Sequence, residues 1–424
     1  MEERSTGLEE RSARIHVGVI FGGVSPEHEV SIISSLQALH ALDKDRYEPV
    51  PIYIAKDGKW YTGPALLDID AYQDLEGVRK SAIPVRIDAG SSGSLLLIEK
   101  KKGGWMSSSP RTFRVDVAFL GLHGGSGEDG GLQGVCETFD VPYTGSSILG
   151  SAVGMDKVLS KMICRDQGIP IVDFVAVRES EWARREEEWL DVIEERLGYP
   201  VIVKPARLGS SIGISMAVDR EKLDRSIEEA LRYDEKVVVE HAVQQLKEIN
   251  CAVLGDPNEA ETSVLEQPVR TEGEELLTFQ EKYMRGDGGA KGERRGSKST
   301  DGGSSGMASL DRVIPAPIDE ATAERIRELA VRVFKLFECG GVARIDFMID
   351  ESTGAVYFNE INTIPGSFSF YLWDPAGIPF DALITRMIEL ARKRHVDKHS
   401  RVRTYDVNLL SQKSLSGIKG AKQG

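Results

Sequence analysis

Asp346, Glu360 and Asn362 are the residues whose types and spacing first suggest chemistry in this chain. The stretch VARIDFMID (342–350) alternates. Ala343, Ile345, Phe347 and Ile349 fall on one side of a strand, and Arg344 and Asp346 on the other, because successive strand side chains point to opposite faces. By the same rule Glu360 and Asn362 share a face in YFNEIN (357–362). If the two strands pair across the turn at DESTG, Asp346, Glu360, Asn362 and Arg344 gather on one surface. Two carboxylates and an amide oxygen are hard ligands, suited to Mg2+ beside nucleotide phosphates. Arg344 would then stabilise charge on a transferring phosphoryl group. A hairpin with a merely solvated polar face has the same pattern.

The stretch IVKPARLGSSIG (202–213) narrows the choice. An apolar strand delivers Lys204 beside a loop holding Gly209, Ser210, Ser211 and Gly213. Small residues let backbone N–H groups approach a phosphate, and the lysine supplies charge. The spacing is neither GxxxxGK[ST] nor GxGxxG, which excludes a P-loop and a nicotinamide dehydrogenase fingerprint. Glu240 ends the apolar run VVVEHAV (237–243), where its carboxylate could accept from an adenine amino group. Lys157, in MDKVLSK, reads either as a ligand lysine or as one more lysine on a helix surface.

The elements that must position these groups read as α/β. A strand at HVGVIFGG (16–23) runs into a glycine turn, followed by a helix from SPEHEVSIISSLQAL with Ser25 as N-cap and Pro26 at its first position. Strands follow at EPVPIYIA and VDVAFLGL (115–122), the latter entering HGGSGEDGGLQG. This is the grammar of a doubly wound α/β unit, in which Glu27 and His123 lie at the carboxyl ends of strands, where ligands bind. Beyond residue 150 come one helix over 153–168, a charged helix at 179–196, a helix at 219–232 and a strand at KVVVEHAV. Strands near 249–254, 276–283 and 341–349 and helices at 319–337 and 379–394 complete the reading. Expected units are a flexible N-terminus (1–14), a Rossmann-like substrate domain (15–147), a central subdomain (148–242), a C-terminal subdomain (243–395) and a flexible basic tail (396–424).

Composition sets the limits. The 424 residues, 41% of them hydrophobic, suffice for two or three domains with sizeable cores. The net charge of −14 argues against a general nucleic-acid binder. The four cysteines, at 136, 164, 251 and 339, form no CxxC pair, so structural zinc and a disulfide framework are not expected, and scattered thiols fit a reducing cytoplasm. No signal-peptide core and no apolar run of membrane-spanning length is present, so a soluble cytoplasmic protein is expected, with no membrane partner.

The motifs FGGVSPEHEVS, LHGGSGEDGGLQG, PYTGSS, MDK, VIVKPARLGSSIG, EKY, ARIDF and NEINTIPG occur in this order between about residues 15 and 395. In that order they resemble the D-alanine–D-alanine ligase family of the ATP-grasp superfamily. The resemblance implies an ATP-grasp fold: an N-terminal Rossmann-like α/β domain and two α+β subdomains that hold ATP between them. It implies ATP-dependent joining of D-alanine to a second D-amino acid or hydroxy acid through an acyl phosphate, for peptidoglycan synthesis. Mg2+, as two ions with Mn2+ a competent substitute, and a homodimer are implied with it. Residue by residue, Asp346, Glu360 and Asn362 match the family's magnesium ligands, and Lys157 and Lys204 its nucleotide-binding lysines. Ser210 and Ser211 fall in its phosphate-side loop. Glu240 and Glu248 match adenine and ribose contacts, and Lys282 and Tyr283 a lid lysine and tyrosine. Glu27 matches the residue holding the first substrate's ammonium, linked through Ser210 to Tyr283. Arg344 and Gly366 match the group around the reacting carboxylate, and His123 a histidine near the first substrate.

Two departures bear on function. Where the family carries a serine for the second substrate's carboxylate, this chain has SFSFYL, with Tyr371 in that place and Leu372 beside it. Either Tyr371 reshapes the acceptor pocket or Ser369 takes over by a small shift in register. The acceptor is therefore D-alanine or a different one, such as D-serine or D-lactate; Tyr283 counts against the last, since lactate-accepting relatives usually lack that tyrosine. The second departure is the glycine-rich insertion RGDGGAKGERRGSKSTDGGSSG (285–306), either a long lid over ATP or a disordered insertion. Loss of catalysis, leaving an ATP-binding sensor, is the reading from another class; the intact ligand and lysine set counts against it.

Overall fold

A computed structural model of the chain describes residues 14–91, 93–101, 109–269 and 312–406. The expected strand at 276–283, Lys282, Tyr283, the 285–306 insertion and most of the basic tail lie outside the described residues. Three sheets organise the rest.

The first sheet comprises β1 (Ile15–Gly22), β2 (Tyr47–Ile54), β3 (Trp60–Thr62), β4 (Ile83–Ala89), β5 (Leu95–Glu99), β6 (Thr112–Val115) and β7 (Val117–Leu120), in the order β6-β5-β4-β3-β2-β1-β7. Only β1 with β2 and β1 with β7 pair in parallel; the other pairings are antiparallel. The expected doubly wound sheet is thus a short parallel core extended by an antiparallel meander. The single expected strand at 115–122 divides at Asp116, whose carboxylate turns aside to accept from the His16 N–H. Helix α1 (His28–Ala41) begins three residues after Ser25. Ser25 Oγ accepts from Glu27 N at 3.0 Å, in a turn that precedes the helix, and Glu27 holds the N-cap position without a side-chain cap.

Helices α2 (Leu75–Ser81) and α3 (Gly131–Thr138) complete this unit. The expected helix over 153–168 is two, α4 (Ile148–Met155) and α5 (Lys157–Asp166). Asp156 between them has extended backbone, and its carboxylate caps Val158 N and Leu159 N at 3.1 and 3.0 Å.

The second sheet is antiparallel, in the order β10-β9-β11-β8: β8 (Phe174–Arg178), β9 (Val201–Pro205), β10 (Ser215–Ala217) and β11 (Lys236–His241). Val175, Val177, Val201, Val203, Val237 and Val239 pack with α6 (Glu179–Leu197) and α7 (Arg220–Leu231) in one core. Period-two alternation then sends Lys204, Val238 and Glu240 to the opposite face.

The third sheet contains β12 (Leu246–Gly255), β13 (Ala260–Pro268), β14 (Arg312–Val313), β15 (Gly341–Asp350) and β16 (Ala355–Asn362), in the order β14-β13-β12-β15-β16. Its one face, with Ile249, Cys251, Val253, Ala343, Ile345 and Phe347, packs on α8 (Glu320–Leu336). Its other face is divided. Ala252, Leu254 and Val342 join the core beneath the first sheet, together with Leu383, Ile384, Met387 and Ile388 of α9 (Phe380–His399). The first sheet and α9, the last helix among the described residues, thus share one core, although the sequence reading puts them in separate units. Farther along that face the residues become polar. α9 also runs five residues past its expected end at 394, and its His399 reaches Asp140 at 3.0 Å. Four cysteines are buried and free. Among the described residues no helix is long and apolar enough to cross a membrane.

Candidate active site

The polar half of the third sheet carries the predicted oxygen ligands. Asp346 stands opposite Glu360 and Arg344 opposite Asn362, as the alternation in the sequence requires. Asn250 stands opposite Asp346 on the other side, and Glu266 opposite Asn250, so a row of polar side chains crosses four strands. The sequence reading singled out neither: Glu266 lies on β13, which has no clean apolar alternation, and Asn250 lies on β12, within the expected strand near 249–254.

Strict alternation would place Phe358 on this polar face with Glu360. A β-bulge prevents it: Asp346 pairs with Glu360, but Phe347 pairs with Phe358. Asn359 is the extra residue of the bulged strand. Phe358 accordingly points into the core, fully buried, while Asn359 Oδ1 accepts from Lys204 Nζ at 3.2 Å.

Arg344 grips Asp346 with two bonds, Nε to Oδ1 and Nη2 to Oδ2, both 2.7 Å. Asn362 Nδ2 donates to Asp346 Oδ2 at 3.0 Å. Burial opposes charge on the guanidinium, but the Asp346 carboxylate outweighs it and raises Arg344 well above its ordinary value. Asp346 itself is pushed up by burial against the pull of Arg344.

Lys204 and Glu240 are diagonal neighbours on β9 and β11, close enough for long side chains to meet. Lys204 Nζ donates to Glu240 Oε2 at 2.7 Å, and Lys161 Nζ lies 3.0 Å from Glu240 Oε1. Both oxygens of the expected adenine acceptor are therefore engaged by lysines. Burial would raise the Glu240 carboxyl, but the two ammonium groups bring it down to about 2. Burial lowers Lys161, which has no exposed side-chain surface, whereas Glu240 carries Lys204 upward. Lys161 is a residue the sequence reading missed. Its signal was available: it stands four residues from Lys157 in MDKVLSK, on the same helix face. Glu248, on β12 opposite Met348, adds negative charge near Lys204.

Lys157, buried, links two of the sheets. Its Nζ donates to Leu208 O at 2.7 Å and lies 3.4 Å from Glu360 Oε2. Leu208 belongs to the loop between β9 and β10, so the glycine-serine stretch is the tip of a hairpin. Ser210 and Ser211 both have left-handed backbone, at φ 54° and 58°. The Ser210 hydroxyl donates to Glu27 Oε1, the Glu27 half of the expected link; its other end, Tyr283, lies outside the described residues. A Cβ at position 209 would come within 3.1 Å of Glu27 Oε2, so glycine there lets the loop close over that carboxylate.

His123 is buried and close to Ser34, with Nε2 3.0 Å from Ser34 Oγ. Burial holds its pKa at about 4, so the ring is neutral. Gly366 is buried at the start of an irregular turn in which Ser367, Phe368 and Ser369 all have left-handed backbone, at φ 50°, 52° and 53°. Ser369 is fully buried, and its hydroxyl has no partner among the described residues. Leu372 is a core residue. Tyr371 differs from both: its hydroxyl donates to Glu266 Oε1 at 3.3 Å, and the Arg312 guanidinium carbon sits 3.8 Å from its ring centroid. Of the three acceptor-pocket residues expected, Tyr371 is the one attached to the polar row.

Asp140, His395 and His399 form a further group of metal-ligating types. Arg403 Nη1, however, lies 3.1 Å from Asp140 Oδ1 and 2.9 Å from His399 Nε2, so these groups already form an internal ionic network.

Comparison with known proteins decides the family. Models of the D-ala D-ala ligase N-terminus and C-terminus match residues 16–146 and residues 163–295 with 304–389. The chain belongs to the D-alanine–D-alanine ligase family. It is 38% identical over 399 residues to the D-alanine–D-alanine ligase of Thermosipho melanesiensis, covering 94% of this chain and 99% of that one. The Geobacillus kaustophilus enzyme of the same name is 35% identical, with 92% and 98% covered. The D-alanine–D-alanine ligase structure from Coxiella burnetii superimposes with a TM-score of 0.71 at 26% identity, covering 95% and 100%. The VanG D-Ala:D-Ser ligase from Enterococcus faecalis does so with 0.71 at 30%, covering 89% and 100%. The fold is the ATP-grasp fold of these ligases, and this member of the D-alanine–D-alanine ligase family is an enzyme of the ligase class.

Proposed function

We propose that the protein joins two D-alanines into D-alanyl-D-alanine at the expense of ATP, for peptidoglycan precursor synthesis. A carboxylate is a poor electrophile. Transfer of the γ-phosphoryl group to the first D-alanine makes an acyl phosphate and releases ADP. The amine of the second D-alanine attacks the carbonyl carbon and loses a proton, and the tetrahedral species expels phosphate. The observation that carries the reading is the reach of Lys157, from Leu208 O at 2.7 Å to Glu360 Oε2 at 3.4 Å, which joins the glycine-serine loop to the oxygen-ligand row.

In this reading Lys157 and Lys204 hold the phosphates, with Ser211 in the loop beside them. Glu240 keeps Lys204 charged, and Glu248 contacts the ribose. Glu27 receives the first substrate's ammonium and is oriented by Ser210. Arg344 stabilises charge on the transferring phosphoryl group and, with the backbone at Gly366, on the tetrahedral oxygen. His123, with Nε2 on Ser34 Oγ, lies near the first substrate. Two carboxylates and an amide oxygen on one face are the donor set that magnesium prefers, so Asp346, Glu360 and Asn362 would hold it. When bound, magnesium would neutralise charge on the phosphate oxygens. Lys282 and Tyr283 are assigned to the lid through the family motif.

D-Serine as second substrate is the competing reading, favoured by Tyr371 in the polar row and by the likeness to the D-Ala:D-Ser ligase. The test is phosphate release from Mg-ATP by the purified protein, with D-alanine alone and then with D-serine, other D-amino acids or D-lactate added, products being identified by mass. Release with D-alanine alone and a D-alanyl-D-alanine product supports the proposal. Turnover only with a mixed pair replaces it by the alternative acceptor. ATP binding without turnover on any pair overturns both.

A further inference from the structure

Helix α5 and strand β11 are joined by buried ion pairs of opposite polarity. At the start of both elements, Lys236 Nζ donates to Asp156 Oδ2, and both side chains are buried. Farther along both, Lys161 Nζ lies 3.0 Å from Glu240 Oε1. Between the pairs, Val158 of the helix and Val238 of the strand pack with Phe174 and Ala206 in a small apolar cluster. Lys236, Val238 and Glu240 share one face of the strand because its side chains alternate. A reversed helix would set Asp156 against Glu240 and Lys161 against Lys236. Like charges would then meet in a buried site, so the charge pattern admits one direction only.

Backbone bonds close a ring through the first of these pairs. Ala206 N donates to Lys236 O at 2.9 Å, and Lys157 N donates to Ala206 O at 3.0 Å. Asp156 Oδ1 meanwhile caps Val158 N and Leu159 N. Asp156 is also the extended residue at which the chain leaves α4 and enters α5. Because the helical ladder is interrupted there, what Asp156 and Lys157 bond to helps set the direction of α5. Lys157, the first residue of α5, sends Nζ on to Leu208 O at 2.7 Å, in the loop that follows Ala206.

We propose that Asp156 is a positioning residue for the nucleotide lysine: through its ion pair with Lys236 it sets the start of α5, so that the Lys157 ammonium meets both the loop between β9 and β10 and Glu360. That Lys157 holds phosphate rests on the proposed function; the ring of bonds does not.

Asp156→Asn, Lys236→Met and the double variant test this in the full-length protein. Asp156→Asn keeps an oxygen to cap α5 and removes the charge that faces Lys236. Each single variant leaves one buried charge unpaired, so its urea midpoint should fall. The double variant removes both charges, so its midpoint should return toward wild type. Mg-ATP affinity, measured by calorimetric titration, separates positioning from stability. It should weaken about tenfold in the single variants and stay about tenfold weaker in the double, since the start of α5 is no longer held. Midpoint and affinity recovering together in the double overturn the positioning role. So does affinity within about twofold of wild type in every variant that folds. If neither single variant folds, the double decides.

Hydrogen exchange at the Lys157 amide, measured without nucleotide, tests the ring whatever the substrate. Exchange about tenfold faster in the double variant supports it, and unchanged exchange overturns it. A wild-type protein that binds no Mg-ATP would overturn the proposed function, and the exchange measurement would still decide the ring.

Discussion

The Ser210 hydroxyl donates to the Glu27 carboxylate, a bond between residues 183 apart in the chain. It ties the tip of the β9–β10 hairpin to the loop that enters α1, and so couples the loop over the proposed phosphate site to the proposed ammonium site. Ser210→Ala removes a hydrogen bond to a charged group, worth about 1.5–3 kcal/mol. Turnover with D-alanine should therefore fall at least about tenfold. An unaltered kcat/KM in steady-state phosphate release would remove Ser210 from the mechanism.

Lys161 and Glu240 form a fully buried ion pair. Lys161→Met leaves Glu240 with Lys204 alone, and breaking a buried pair costs about 3 kcal/mol or more. Urea unfolding at neutral pH measures it; an unchanged midpoint would show that Lys204 alone balances the carboxylate.

The same carboxylate predicts an acid limb of stability. The folded Glu240 carboxyl titrates near 2 against an ordinary 4.5, so the folded state binds fewer protons in that window. Its contribution is complete above pH 4.5 and is lost as pH falls through 2. Lys161→Met weakens the depression, so its acid-unfolding midpoint should move to higher pH in a circular-dichroism titration. A midpoint moved the other way would contradict the charge assignment.

Glu360→Ala and Asn362→Ala each delete one oxygen from the proposed magnesium set. Each should lower turnover at least about a hundredfold and raise the Mg2+ concentration needed for half-maximal rate. Activity with wild-type Mg2+ dependence would take these residues out of the ligand set.

Tyr371→Ser removes a ring that stacks on Arg312 and a hydroxyl that donates to Glu266. If Tyr371 lines the acceptor pocket, the ratio of kcat/KM for D-serine over D-alanine as second substrate should move about tenfold. An identical acceptor profile would make the tyrosine a structural member of the polar row.

Much of this site was legible because alternation along a strand is a local property. The pairing of Asp346 with Glu360 and of Arg344 with Asn362 follows from the period of two and the intervening turn. The bulge at Asn359 does not follow, because it depends on Phe358 finding its place in a core with Phe337 and Phe347. Lys161 announced itself only as one of two lysines a helical turn apart; that it is buried against Glu240 required β11 to lie beside α5.

The sequence by itself determined the third-sheet hairpin, the lysine-bearing strand with its glycine-serine loop, and the ordered motifs from which membership of the ligase family could be read. Each is encoded over a few residues, where steric alternation and small side chains act directly. Only the tertiary structure decided that Lys157 spans from Leu208 to Glu360, that Ser210 reaches Glu27, and that a turn with three left-handed residues is bonded to Ser34 of the first-sheet unit. These contacts join segments far apart in the chain, and their geometry comes from how three sheets and a shared core pack, which no local pattern carries.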